Sequence, residues 1–184
     1  MKKWLIILLV FLVVLILLLG GIYVVFFKKN VNKGGGGVIE NPMKQIIIKN
    51  TDASGKVNAE AVVSEGVKEF NVQYINYILI ALGVGNLHKS LIGYGNPVVE
   101  LDLDNQIWSS EIKDGGLYTG LGANDNKDLK ITMSKQEAVK ALLSQDMKQF
   151  MKDSVANGNT KIEMIAGKPE LGSKGYLEMY NNLK

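Results

Sequence analysis

Residues 97–143 read PVVELDLDNQIWSSEIKDGGLYTGLGANDNKDLKITMSKQEAVKALL. The run opens with strict alternation: Val99, Leu101 and Leu103 fall on one side, Val98, Glu100 and Asp102 on the other. A two-residue period marks a strand with one face buried. Further strands are expected at Ile107–Lys113, Leu117–Leu121 and Asp128–Met133. Asp114-Gly115-Gly116 supplies the positive φ of a tight hairpin between the second and third. Ser134 and Glu137 then stand three apart before an apolar run, the pattern of a helix N-terminal capping box. Four short strands feeding a capped helix predict an α+β domain. The expected sheet is mainly antiparallel, of about five strands, with helices packed on one face.

Outward from this segment, the C-terminal part continues in the same manner. Met147, Phe150, Met151 and Val155 recur at helical spacing, and Asn157-Gly158 is a natural stop. Lys161–Ala166 alternates and predicts the fifth strand. Lys168–Lys174 is rich in Pro and Gly and is expected to be a loop, with Ser173 placed to cap a last helix through Tyr176, Leu177, Met179, Tyr180 and Leu183.

On the N-terminal side, Trp4–Phe27 is an uninterrupted apolar run, longer than the ~20 residues a helix needs to cross hydrocarbon. It exceeds the apolar core of a cleaved signal peptide, so residues 1–29 are expected to form a single-pass transmembrane anchor with basic flanks. Residues 30–37, with four consecutive glycines, are expected to be a flexible linker. The domain would then occupy 38–184 and stay close to a bilayer, on a side the nearly balanced flanking lysines do not assign. Within 38–90, Gln45–Lys49 (QIIIK) is β-branched and predicts a strand, and Asn50–Gly55 a turn. From Ala61 onward Val67, Phe70, Tyr74, Ile78 and Ala81 predict one helix, apolar around most of its circumference after Tyr74, ended by Gly83 and Gly85. Such a helix is buried or touches lipid. Leu87–Gly95 is a Gly-punctuated connection into the first strand.

Composition narrows the chemistry. The chain has 184 residues and no cysteine, which excludes disulfides and thiolate chemistry. All its cationic side chains other than His88 are lysines, so no bidentate guanidinium clamp is available. Five of the 21 basic residues precede residue 38; the other sixteen face all eighteen acidic residues, a balance of −2 that removes the electrostatic footprint of a nucleic-acid binder. His88 is the single histidine, and a surface histidine is the expectation because no nucleophile–base–orienter set accompanies it. Asp102-Leu-Asp104-Asn105 and Asn124-Asp-Asn-Lys-Asp128 are rich in oxygen ligands but lack the spacing of a calcium loop, so turn chemistry accounts for them. No cofactor and no metal is expected.

The order of these motifs resembles the sterol carrier protein 2 family. The residues that carry it are the strand Val98–Leu103, the Trp108 strand, the Asp114-Gly115 hairpin, the step Asp128-Leu-Lys-Ile131-Thr-Met-Ser134, and a late strand before a terminal helix. The likeness covers residues 96–184; a glycine expected after the first helix is replaced by Leu143-Ser-Gln-Asp146. The resemblance implies a domain whose sheet and helices enclose an apolar tunnel for acyl chains or sterol-like lipids; that the domain is not an enzyme is expected from the missing catalytic constellation. Leu101, Leu103, Leu129, Ile131 and Met133 would form its sheet wall by parity. Leu142, Met147, Phe150 and Met151 would form its helical wall, and Tyr176 and Met179 its closing helix. Methionines suit a deformable lipid pocket as well as ordinary core packing. The competing expectation is a membrane-anchored protein–protein interaction or scaffold domain with a filled core. Expected partners are therefore a membrane, a lipid ligand and no nucleic acid.

Overall fold

The computed structural model describes residues 40–181, which belong to one compact unit, Val38–Lys184. Three helices come first: α1 (Lys44–Lys49), α2 (Ala59–Lys68) and α3 (Val72–Ala81). A short 3-10 turn at Val84–Asn86 leads by a loop into β1 (Val98–Leu103), β2 (Gln106–Lys113), β3 (Gly116–Leu121) and β4 (Leu129–Met133). Then follow α4 (Lys135–Leu143), α5 (Met147–Ala156), β5 (Thr160–Met164), α6 (Lys168–Ser173) and α7 (Tyr176–Asn181).

The five strands form one sheet in the order β3-β2-β1-β4-β5. Both hairpins of the meander turn on consecutive left-handed residues: Asp104 and Asn105 between β1 and β2, Asp114 and Gly115 between β2 and β3. That twist matches the flanking strands. The sheet is mixed, which corrects the expectation of a mainly antiparallel one: β4 lies parallel to β1, with Val99 opposite Leu129 and Leu103 opposite Met133. The cause is the 122–128 segment. It does not reverse into a fourth meander strand but recrosses β2 and β1, so β4 enters beside β1 in the same direction. Asn124 N–H and the Lys127 ammonium meet Glu100 along that path, at 3.3 and 3.1 Å.

Parity puts Val99, Leu101, Leu103, Leu129, Ile131 and Met133 on one face, and all six are buried in one apolar core with residues of α1–α7. α3 is the interior helix: Tyr74, Ile75, Ile78 and Leu79 are buried in that core. Its one polar tie to the sheet is Asn76 Oδ1, which accepts from the Thr119 hydroxyl at 2.6 Å. Ser134 caps α4 as expected, accepting from Glu137 N–H at 3.0 Å. Glu137 does not return the bond; its carboxylate accepts instead from the Ser154 hydroxyl of α5 at 2.7 Å.

Three local expectations change. Residues 44–49 are helical rather than extended, because Asn41 opens a helical turn, accepting from Met43 N–H and Lys44 N–H, and Met43 and Ile46 bury against α2. The helix expected from Ala61 to Leu82 is two helices, since Asn71 turns extended and caps α3 by accepting from Gln73 N–H. Residues 168–173 are helical, with Pro169 in the first turn where its missing N–H costs nothing; Ser173 bonds Glu170 and Ser90 rather than capping α7. The expectation of a single-pass transmembrane protein is not carried forward. Among the described residues no helix is long and apolar enough to cross a membrane, and the Trp4–Phe27 run on which it stood lies outside them, as does the 30–37 linker.

Candidate functional site

An apolar groove of about 920 Å³ lies between α2, α4 and the first turns of α5. It follows from the caps and spacing of three helices. Asn58 starts α2 by accepting from Ala61 N–H, Ser134 starts α4, and Asp146 starts α5 by accepting from Gln149 N–H at 3.0 Å. On α2, Val62 and Gly66 point into the core, while Val63 and Val67, one residue on and again four apart, line the groove. On α4, Gln136, Lys140 and Leu143 face it, and α5 contributes Phe150. Gly66 sets the depth. A Cβ there would stand 2.7 Å from Met43 Cε and 2.9 Å from Val139 Cγ1, so only glycine lets α2 approach α4 this closely. The floor is Val63, Val67, Leu143 and Phe150; Lys68, Lys140, Glu60 and Gln136 stand at the rim. The groove is open to solvent along one side.

Of the residues expected to wall a tunnel, Phe150 borders this groove. Leu142 and Met147 border a cleft of about 370 Å³ with Asn41 and Tyr77, and Met133 one of about 320 Å³. Leu101, Leu103, Leu129, Ile131, Met151, Tyr176 and Met179 are buried in the core, packed with the helices above the sheet. Val63, Val67 and Leu143 were not singled out in the sequence as ligand contacts. The signal that could have found Val63 and Val67 is the second apolar stripe on α2, one residue beyond the core stripe; Leu143 likewise stands one residue beyond the buried Leu142 on α4.

A second, polar concavity of about 480 Å³ lies at the end of the sheet where Tyr94, Asn96, Glu111 and Lys127 surround a buried ion pair. Asp128 Oδ1 accepts from the Lys174 ammonium at 2.6 Å; Oδ2 accepts from Val98 N–H at 2.7 Å and from the Tyr176 hydroxyl at 3.1 Å. Lys174 also donates to Glu170 at 2.8 Å. Burial pushes the Asp128 carboxyl above its ordinary range, against the pull of those three donors. The Lys174 hydrogen bond holds Glu170 below its ordinary range, and burial drives the Tyr176 hydroxyl far upward. Each charged group in this cluster has its partners within the protein, so the cluster clamps α6 and α7 to β1 and β4. No spacing signal links Asp128 to Lys174, which stand 46 residues apart.

His88 is exposed, with Nδ1 3.3 Å from the Lys89 carbonyl oxygen. Among the described residues no group of three His, Asp or Glu side chains is placed to hold a metal ion. The two oxygen-rich segments form turns: Asp102 accepts from Asn105 N–H, and Asn124 from Asn126 N–H.

No family model matches the chain, and no curated protein matches it either. Among solved structures it is similar to the stereoselective inverting sec-alkylsulfatase Pisa1 from Pseudomonas sp., with a TM-score of 0.36 and 15% identity over 61% of this chain and 16% of that one. A double mutant of the same enzyme gives a TM-score of 0.35 and 14% identity over 65% of this chain and 17% of that one. The chain thus spans about a sixth of the length of the structures it matches.

Proposed function

We propose that the domain is a non-catalytic binding module that takes an apolar ligand, an acyl lipid or sterol-like molecule, along the groove between α2, α4 and α5. One observation carries this reading: the groove has an apolar floor and about 920 Å³ of space, within the ~300–1,000 Å³ of sites that hold small ligands. The sterol carrier protein 2 resemblance of residues 96–184 supports the same ligand class. Most of the residues that sequence reasoning placed around a tunnel between sheet and helices belong to the buried apolar core. The open side of the groove favours the alternative, in which an amphipathic helix of a protein partner lies between α2 and α4.

A fluorescent fatty acid is the probe. It binds the purified protein at micromolar concentration, and Val67→Trp abolishes the binding without lowering the melting temperature, because the added ring extends into open space. Met147→Trp, at the buried start of α5, costs about 1–3 kcal/mol by overpacking and leaves binding intact in the folded fraction. Absence of both co-purifying lipid and fatty-acid binding sinks the lipid reading in favour of the interaction domain.

A further inference from the structure

We propose that β3 is a dimerisation edge: two copies of this chain join their β3 strands antiparallel about a twofold axis at Thr119, making one continuous sheet. This stands on a different observation from the groove and holds whether or not the groove takes a ligand.

The hydrogen-bonding phase of β3 is fixed by its hairpin. Asp114 and Gly115 make a two-residue turn, so Lys113 and Gly116 close it as a bonded pair, and bonded pairs recur at every second residue. Gly122 N–H, donating to the Ile107 carbonyl at 2.8 Å, keeps that phase beyond the strand. Gly116, Tyr118 and Gly120 therefore direct their backbone groups at β2. Leu117, Thr119 and Leu121 turn N–H and C=O outward, where no further strand lies among the described residues. Such a row is a ready template for another strand. The opposite edge is blunted, since β5 carries Lys161 and Glu163. β3, read GLYTGL, carries neither a charge nor a proline.

The side chains select a second copy as the occupant. One register pairs every outward residue of both strands: Leu117 with Leu121 of the second copy, Thr119 with its own counterpart, and Leu121 with Leu117. Each pair exchanges both of its N–H···O bonds. The same register sets Tyr118 opposite Gly120 of the second copy, and the reverse, on the sheet face away from the helices. A Cβ at Gly120 would meet nothing within 4 Å, so a ring has room there. Tyr118 leans toward its own Gly116 and is still 61% exposed. An aromatic ring laid over an edge glycine covers the backbone that the glycine leaves bare. On the other face Leu121, 66% exposed, gains Leu117 of the second copy as a neighbour. With no ionised side chain on either strand, like charges do not oppose each other at the seam. The edge is thus complementary to itself, as a twofold interface requires.

The test uses the full chain, which has no cysteine of its own. Chains carrying Tyr118→Cys are mixed with chains carrying Gly120→Cys and oxidised; each mixed pair keeps one Tyr118–Gly120 contact. Opposed positions that are not hydrogen-bonded hold their Cα atoms about 4.5 Å apart, within reach of a disulfide. The mixture gives a disulfide-linked dimer. Either variant alone gives far less, because like positions stand about 7–8 Å apart on the diagonal. Leu121→Pro in both partners abolishes the link, since it deletes an outward N–H and sets a ring in the seam, while the bonds of each chain to its own β2 remain. The matching mixture on the other edge, Lys161→Cys with Glu163→Cys, stays unlinked. Equal yields from the β3 and β5 mixtures, or from the β3 mixture and either β3 variant alone, overturn the proposal. A β3 mixture that stays monomeric, or that links only to a polypeptide of another sequence, overturns it as well.

Discussion

Glu100 and Leu101 are neighbours on β1 and almost equally hidden, at 1% and 0% exposure, yet they lie in opposite worlds. Leu101 points to the helix-covered face, flanked across the sheet by Trp108 and Ile131, and its own side chain requires no polar partner. Glu100 points to the other face and is covered by the 122–128 segment, with Lys127 at 3.1 Å and Lys130 at 3.9 Å. At the end of the same sheet Asp128 and Lys174 are buried to the same degree. Apolar burial depends on shape and tolerates approximate neighbours. Charged burial depends on a complete set of partners, and losing one leaves the other stranded in a poor dielectric.

The sharpest way to break that comparison is Lys174→Met. The Asp128 carboxylate keeps Val98 N–H and the Tyr176 hydroxyl but loses its counter-charge. A cost of about 3–5 kcal/mol is expected, as for a buried pair deprived of one partner. Leu101→Ala, on the opposite face, is expected to cost about 2–5 kcal/mol from lost transfer energy and the cavity left behind. Urea denaturation of both variants at neutral pH measures the pair. If Lys174→Met proves the milder of the two, the charged end of the sheet is not the more brittle part of this domain.

The two kinds of burial also explain what the sequence disclosed. β1 to β4 were legible because alternation, the Asp114-Gly115 turn and the Ser134 cap are local signals, and the sheet is built from neighbours in the chain as far as β3. The parallel β1–β4 pairing was not, because it depends on the path of the 122–128 segment rather than on either strand. Ile46-Ile47-Ile48 carried a strand propensity that the Asn41 turn and burial of Ile46 overrode. Asn71 was hidden inside an apolar pattern that ran through the break. Of the candidate groove, Phe150 was singled out as a ligand contact, but its other apolar floor residues lie one position away from the stripes that mark the core. The Asp128–Lys174 pair had no sequence signature at all.

The same distinction between inner and outer positions can be sharpened on a single helix. Gly66 and Val67 are adjacent on α2, one facing the core and the other the groove. Gly66→Leu is expected to cost about 1–3 kcal/mol, because the added atoms meet Met43 and Val139. Gly66→Ala is expected to cost less than Gly66→Leu: the new Cβ meets the flexible end of Met43 at 2.7 Å and the stiffer Val139 Cγ1 at 2.9 Å, offset in part by about 1 kcal/mol of helix propensity. Val67→Leu is expected to stay within about 0.5 kcal/mol, as at other surface positions. Thermal melts that rank Gly66→Leu and Val67→Leu together would contradict the assignment of α2's two stripes.

The smallest effect concerns pH, and it separates two carboxylates that share one ammonium. Glu170 is held below its ordinary value of 4.5, first by its hydrogen bond to Lys174. A depressed carboxylate contributes stability that is full above the unfolded value and lost as pH falls through the folded one. Asp128 has the opposite sign. Burial raises it above 3.8, so the folded state takes up its proton first, and its contribution to stability falls as pH rises from 3.8 through the folded value. In the wild type the two tendencies oppose each other in the acid range. Glu170→Gln removes one of them and leaves Lys174 with Asp128. Because the Glu170 side chain is 27% exposed, solvent screening limits the difference between variant and wild type to about 0–1 kcal/mol. That difference should be constant above pH 4.5 and shrink below it, so the variant loses less stability on acidification than the wild type does. Urea titrations from pH 7 down to about 3 read the slope directly. A Glu170→Gln protein whose acid-side slope matches the wild type would show that Lys174 draws nothing from Glu170, and that Asp128 alone balances the buried ammonium.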